Sequence, residues 1–191
     1  MNTLFLRLAT LAVGIVLLAI GASAQSSNDP QLESQLKKLF PSAATFSAKT
    51  GTPAHYKAFG PAAAGKDGEL LGLAYWTTEL EPLERGFDGP IKMLVGLNPA
   101  GEITGVIVTD HREPYGYFSV DFPDWPKQFV GKSIRDSFKV GADVDAISRA
   151  TITVTSASRA IRNASRKVAR AHLAPPAPPA AGAPAPAAAA Q

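Results

Sequence analysis

Apolar positions change their spacing several times along the chain, and each change marks an element. Leu32, Leu36 and Leu39 recur at four and three, with Asn28 or Asp29 as a cap, Pro30 suited to the first turn and Pro41 as a stop. This predicts a short amphipathic helix. Leu70 to Leu80 is rich in Leu, Tyr, Trp and Thr; Ile91 to Leu97 follows the Asp88-Gly89-Pro90 turn; Glu102 to Asp110 follows the Asn98-Pro99-Ala100-Gly101 turn. Three such runs on short links predict neighbouring antiparallel strands. Trp125 and Phe129, four apart and followed by Gly131, predict a helix over Asp124 to Val130. A longer helix is predicted over Ser156 to His172, where Ala157, Ile161, Ala164, Val168 and Ala171 share a face that packs on the sheet. The fold class is α+β, an antiparallel sheet packed by helices in a single domain.

The two ends read differently. Arg7 precedes an apolar run from Leu8 to Ile20 and the small-residue triplet Ala22-Ser23-Ala24. Residues 1–24 are therefore expected to be an export signal cleaved before Gln25, the run being shorter than the roughly 20 residues that span a bilayer. If left uncleaved, it would tether the same domain to the same side of the membrane, so a periplasmic location is expected either way. Residues 174–191 contain only Ala, Pro, Gly and one Gln, with six prolines. Such a stretch has too little apolar area to fold on and too many missing donors for a helix, and is expected to be a disordered tail.

Composition narrows the chemistry. In 191 residues, 19 Lys+Arg stand against 16 Asp+Glu and there is no cysteine. Disulfides, thiolate-bound iron–sulfur clusters, attached c-type haem and blue copper are all excluded. If the protein carries electrons, an organic cofactor carries them. Gly60, Gly65 and Lys66 nearly form a phosphate loop, but Asp67 takes the place of the magnesium-binding hydroxyl and would repel phosphate. His55, His111 and His172 are too far apart in sequence to form a helical metal pair, so no metal is expected. Arg159, Arg162, Arg166, Lys167 and Arg170 make a basic face on the last helix, read as a solvated face rather than a nucleic-acid site.

One segment carries chemistry. Asp145, Ser148, Ala150 and Thr151 stand at the spacing Asp-x-x-Ser-x-Ala-Thr. Upstream lie Gly86-Phe87-Asp88-Gly89-Pro90-Ile91 with Met93 to Leu97, and His111-Arg112-Glu113-Pro114. In this order the motifs resemble the FMN-binding domain family of RnfG, NqrC and NosR-type proteins, the NosR type most of all, from about Gly68 to Arg170. The division that follows is the signal at 1–24, an N-terminal helix and connecting segment at 25–67, an FMN-binding domain at 68–173 and the tail at 174–191.

The resemblance implies FMN bound as a phosphoester on the Thr151 hydroxyl, installed from FAD by a separate flavin transferase. It implies an electron carrier more than a stand-alone enzyme, serving a periplasmic or membrane redox partner. Thr151, Ser148, Ala150, Asp145 and Arg149 are the expected attachment segment, with His111 and Glu113 near the ring and Tyr75, Trp76 and Tyr115 as aromatic neighbours. Arg149 occupies the position where the family usually has Gly. If that Gly serves a left-handed backbone, Arg149 slows modification and FMN is held non-covalently. The alternative is a flavin-free assembly module of the same fold that binds a partner through its basic C-terminal helix.

Overall fold

A computed structural model of the chain describes residues 29–63 and 68–173. The expected export signal, the Gly65-Lys66-Asp67 segment and the Ala/Pro tail lie outside the described residues. The opening helix α1 spans Pro30–Leu39. Asp29 caps it, its carboxylate accepting from the Gln31 and Leu32 amides at 2.9 and 3.3 Å, and Pro30 takes the first turn where no donor is needed.

Five strands follow in a simple antiparallel meander: β1 (Thr45–Phe46), β2 (Tyr56–Phe59), β3 (Leu70–Trp76), β4 (Lys92–Leu97) and β5 (Ile103–Asp110), in spatial order 1-2-3-4-5. The α+β class with an antiparallel sheet is the one the sequence predicts. Two strands of the sheet, β1 and β2, come from what reads in sequence as a connecting segment. The run Leu70 to Leu80 is not one strand. Thr77 accepts a bond from the Met93 amide at 3.1 Å and donates to the Ile91 carbonyl at 3.2 Å, and the chain turns there into the short helix α2 (Thr77–Leu80). Helix α3 is limited to Asp124–Lys127. Beyond it, the Phe129 and Val130 amides bond three residues back to Pro126 and Lys127, so the segment tightens into turns instead of running on to Val130.

Helix α4 spans Thr151–His172 and starts five residues before the expected Ser156. Ile152, Thr153, Val154 and Thr155 are poor helix formers by propensity, but Thr153 and Val154 are buried, and packing overrides the weak local preference. Val154, Ala157, Ile161, Ala164 and Val168 cover one face of the sheet, against Leu73, Tyr75, Met93 and Val95. Ala171, expected on that face, is exposed, and the buried alanine of the last turn is Ala169.

The other face of the sheet receives α1. Leu32, Leu36, Leu39 and Phe40 pack on Ala58, Ala74 and Leu94. The close approach depends on Gly96 and Gly105, which are paired across β4 and β5. A Cβ on Gly96 would lie 3.2 Å from Leu39 Cβ and one on Gly105 2.8 Å from Leu39 Cδ2, so side chains there would push the helix end off the sheet.

Candidate functional site

The site is built at the N-terminus of α4. Ala150 precedes the helix without a capping side chain, and the first intrahelical bond runs from the Val154 amide to the Ala150 carbonyl at 2.9 Å. The amides of Thr151, Ile152 and Thr153 lie ahead of that bond and have no intrahelical acceptor. Thr151 is exposed, and its hydroxyl reaches no nearer partner than the Ile147 carbonyl at 3.5 Å. Beside it opens a cleft of about 270 Å³ lined by Phe87, Pro114, Tyr115, Arg149, Ile152 and Thr153 as well as Thr151 itself.

The loop leading into the helix is tied down residue by residue. Asp143 accepts from the Ser137 hydroxyl at 2.7 Å and from the amides of Phe138 and Lys139 at 2.9 and 2.5 Å. Desolvation alone would raise its pKa, but these donors and the nearby Lys132 hold it down to about 2. The Asp145 amide donates to Gln128 Oε1 at 2.7 Å, and the Ala150 amide to the Ile147 carbonyl at 3.1 Å. Between them Arg149 adopts φ 68°, in the left-handed region. A β-carbon is disfavoured there by about 1–2 kcal/mol, so the backbone takes the glycine conformation although the residue is arginine.

The expected site residues separate into three groups. Thr151 and Arg149 line the cleft, with Tyr115 opposite. Ser148 and Asp145 are exposed on the approach loop, while Ala150 is buried and contributes its backbone to the helix start. Glu113 and His111 serve the walls of the cleft and are not among its lining. Glu113 is only 6% exposed; it accepts from the Phe87 and Asp88 amides, both at 3.0 Å, and from the Thr153 hydroxyl. One carboxylate thus clamps the 86–88 loop to the first turn of α4. His111 Nε2 lies 2.9 Å from Asp121, and its Nδ1 accepts from the Glu113 amide at 3.0 Å, which sets the tautomer and holds the clamp in place.

The aromatic expectations are corrected in part. Tyr75 is fully buried, its hydroxyl 2.6 Å from Ser165 and its pKa pushed up by burial, so it belongs to the core beneath α4. Trp76 lies on a separate surface, under Lys92 at 4.6 Å and beside Tyr56 and Glu79. Alternation explains both: adjacent strand residues point to opposite faces, and neither face of β3 opens on the cleft. Four residues of the cleft, Phe87, Pro114, Ile152 and Thr153, are not singled out by the sequence. Phe87 and Pro114 stand there only as members of longer motifs, and Ile152 and Thr153 follow Thr151 in a stretch that does not read as helix.

The basic face of α4 is solvated at Arg159, Lys167 and Arg170 and half-buried at Arg162 and Arg166, and four of the five cations also hold partners. Arg159 grips Glu84 through two bonds of 2.8 and 2.7 Å, and Arg166 donates to the Ile134 and Asp136 carbonyls at 2.7 and 2.8 Å. Arg162 reaches the Ser137 carbonyl at 3.4 Å, and Lys167 the Leu80 carbonyl and Glu81 at 2.8 Å each. These four cations stitch loops to the helix.

Comparison with known proteins bears directly on this cleft. Residues 86–166, which hold the clamp, Thr151 and most of α4, match the profile of the FMN-binding domain. The match to the FMN-binding domain covers about two fifths of the chain. Relatives of the FMN-binding domain include a component of the ion-translocating oxidoreductase complex of Haemophilus influenzae, 36% identical over 100 residues that cover 47% of this chain and 46% of that protein. The same component from Shewanella oneidensis is 34% identical over 89 residues, 41% of this chain and 42% of its own. That of Vibrio vulnificus is 33% identical over 88 residues with the same shares. The match thus spans less than half the length of these relatives.

The residues of this matched segment fit FMN. The cleft is mostly apolar, as contact with a flavin ring requires, and its volume of about 270 Å³ lies just under the roughly 300 Å³ at which cofactor pockets begin, so Phe87, Tyr115 and Ile152 would hold the ring only in part. The uncapped amides at the start of a 22-residue helix favour a phosphate, and the Arg149 guanidinium supplies the matching charge. Among the described residues no cluster of metal ligands occurs, and no helix is long and apolar enough to cross a membrane.

Proposed function

We propose that this protein is an exported, periplasmic electron carrier that holds FMN covalently on Thr151 and passes electrons to or from a membrane or periplasmic redox partner. The observation that carries the reading is an exposed threonine hydroxyl on the first residue of an uncapped helix, at the rim of an apolar cleft. The relatives named as components of an ion-translocating oxidoreductase complex support the redox role, and the Arg7 to Ala24 stretch supports export.

When bound, FMN supplies reversible one- and two-electron transfer. The chain supplies the anchor and the surroundings. An unassisted threonine hydroxyl is a poor nucleophile, so a flavin transferase provides the base. In its reaction the phosphoanhydride bond of FAD breaks, a bond forms between Thr151 Oγ1 and the FMN phosphorus, AMP leaves and the hydroxyl proton passes to that base. The helix amides and Arg149 then hold the phosphodiester charge, while Phe87, Tyr115 and Ile152 exclude water from one side of the ring.

The test is the intact mass of protein purified from cells that co-express a flavin transferase. A gain of one FMN phosphoester, mapped to the Thr151 peptide and absent from Thr151→Ala, is expected. An unmodified mass beside a second substrate that the same transferase does modify would overturn covalent attachment, as would denaturation-resistant flavin on the Thr151→Ala protein.

A further inference from the structure

The cleft is framed by three segments, 85–89, 112–117 and 149–153, and what they expose is unusual for an isolated surface. Phe87 is 68% exposed, Tyr117 71% and Ile152 59%, with Tyr115 also out in solvent. These side chains form a connected group. Phe87, Tyr115 and Ile152 line the same cleft, and Tyr115 and Tyr117 both pack on Phe118, with ring centroids 5.4 and 4.8 Å apart. Large apolar side chains gathered at one spot mark a contact surface; scattered ones do not.

Charge on the same segments points to what makes the contact. Arg85, Arg112 and Arg149 are all exposed, and no described carboxylate comes within salt-bridge distance of any of them. Some exposed cations elsewhere are paired, as with Arg159 and Glu84 or Lys167 and Glu81, but among the described residues only here do three unpaired arginines border a group of exposed apolar side chains. Within the three segments the opposing carboxylates are Asp88, which is exposed, and Glu113, which is buried in its clamp. With Arg149 set against the flavin phosphodiester, Arg85 and Arg112 remain against one exposed carboxylate, Asp88, so the face has an apolar centre and a rim with a small positive excess.

We infer that this face docks an acidic redox protein, one whose own electron-exchanging spot is apolar and ringed by carboxylates. The inference rests on the proposed flavin at Thr151, which makes the cleft the place where electrons leave. Short-lived redox complexes use such surfaces: the apolar centre brings the cofactors close, and the charged rim steers the encounter.

The test uses the flavin-loaded protein, its flavin content confirmed by mass and then reduced with dithionite. It is mixed in stopped flow with two ferric cytochromes c, one acidic and one basic. One electron passes to each haem iron, two haems per reduced flavin, with the released protons going to solvent. The acidic cytochrome is expected to be reduced at least about tenfold faster at low salt, an advantage that fades as salt is added. Arg112→Glu should abolish the preference. Tyr117→Ser should slow reduction at high salt, where steering is screened, and both variants should retain full flavin loading, since neither residue lines the cleft. Equal rates for the two cytochromes with flavin in place would overturn the inference, while protein without flavin would instead defeat the functional reading beneath it. Co-sedimentation with phosphatidylglycerol vesicles that is lost in Arg112→Glu and Tyr117→Ser, with cytochrome rates unchanged, would assign the face to lipid and also overturn it.

Discussion

Glu113→Gln isolates the clamp behind the cleft, because it keeps the side-chain volume and removes one acceptor. In the native protein Oε2 accepts from the Phe87 amide and the Thr153 hydroxyl, and Oε1 accepts from the Asp88 amide. A glutamine can satisfy only one of these two sides. Its amide nitrogen must face either a backbone N–H or the pair of donors on the other side, leaving at least one buried donor without a partner. A bond to a charged acceptor contributes about 1.5–3 kcal/mol and an unsatisfied buried donor costs about 1–3, so a loss near 3 kcal/mol is expected. Urea denaturation should show the midpoint falling with the slope unchanged. Thr153→Val, which removes a single donor, should cost about 1 kcal/mol, and the double variant should lose less than the sum. A loss below about 0.5 kcal/mol for Glu113→Gln, the level of an ordinary surface change, would refute the clamp. A clamp lost without unfolding has a second signature: Phe87 and Thr151 sit on opposite sides of it, so flavin loading should become partial while the fold persists.

Arg149→Gly should raise the rate of flavin attachment by the transferase, followed by mass over time, with stability unchanged or up to about 1 kcal/mol higher. Relief of the left-handed strain at φ 68° offsets the larger unfolded-state entropy of glycine. An unchanged rate would mean that the arginine side chain and its backbone conformation are both neutral to the transferase. His55 gives a pH dependence. Burial lowers its pKa below the ordinary 6.5, opposed by the Pro53 carbonyl and assisted by His172, whose ring centroid is 4.1 Å away. The unfolded chain therefore takes up that proton more readily than the native one, so this contribution to stability is full above 6.5 and declines as pH falls toward the depressed value. Urea midpoints between about pH 8 and about pH 5 should fall, and His55→Gln should flatten the slope.

Local signals carried much of this architecture into the sequence. Asp29 and Pro30 announce the start of α1, and the turns at Asp88-Gly89-Pro90 and Asn98 to Gly101 separate the strands β3, β4 and β5. What stayed hidden depends on partners distant in sequence. Strands β1 and β2 are two and four residues long and exist because β3 offers them an edge. The first turn of α4 looks extended by propensity and becomes helical because Thr153 and Val154 are buried. Arg162 and Arg166 repeat like part of a solvated face, and only the folded chain reveals the Ile134, Asp136 and Ser137 carbonyls that receive them. At the site, the threonine and its arginine neighbour were legible from the motif. Glu113 was legible as a residue but not as a clamp, since its ligands Phe87, Asp88 and Thr153 lie up to 40 residues away.

Helix α4 is about 33 Å long at 1.5 Å per residue, and Thr151 is its first residue. Two residues further on, the helix is already part of the core. A group fastened to that hydroxyl would hang from the first turn of a long helix whose Thr153 and Val154 are already buried. It is a fixture, unlike a prosthetic arm that swings from a long lysine. Its travel is set by its own short chain, so exchange occurs at one fixed address, and the tumbling of the whole domain decides which partner finds it.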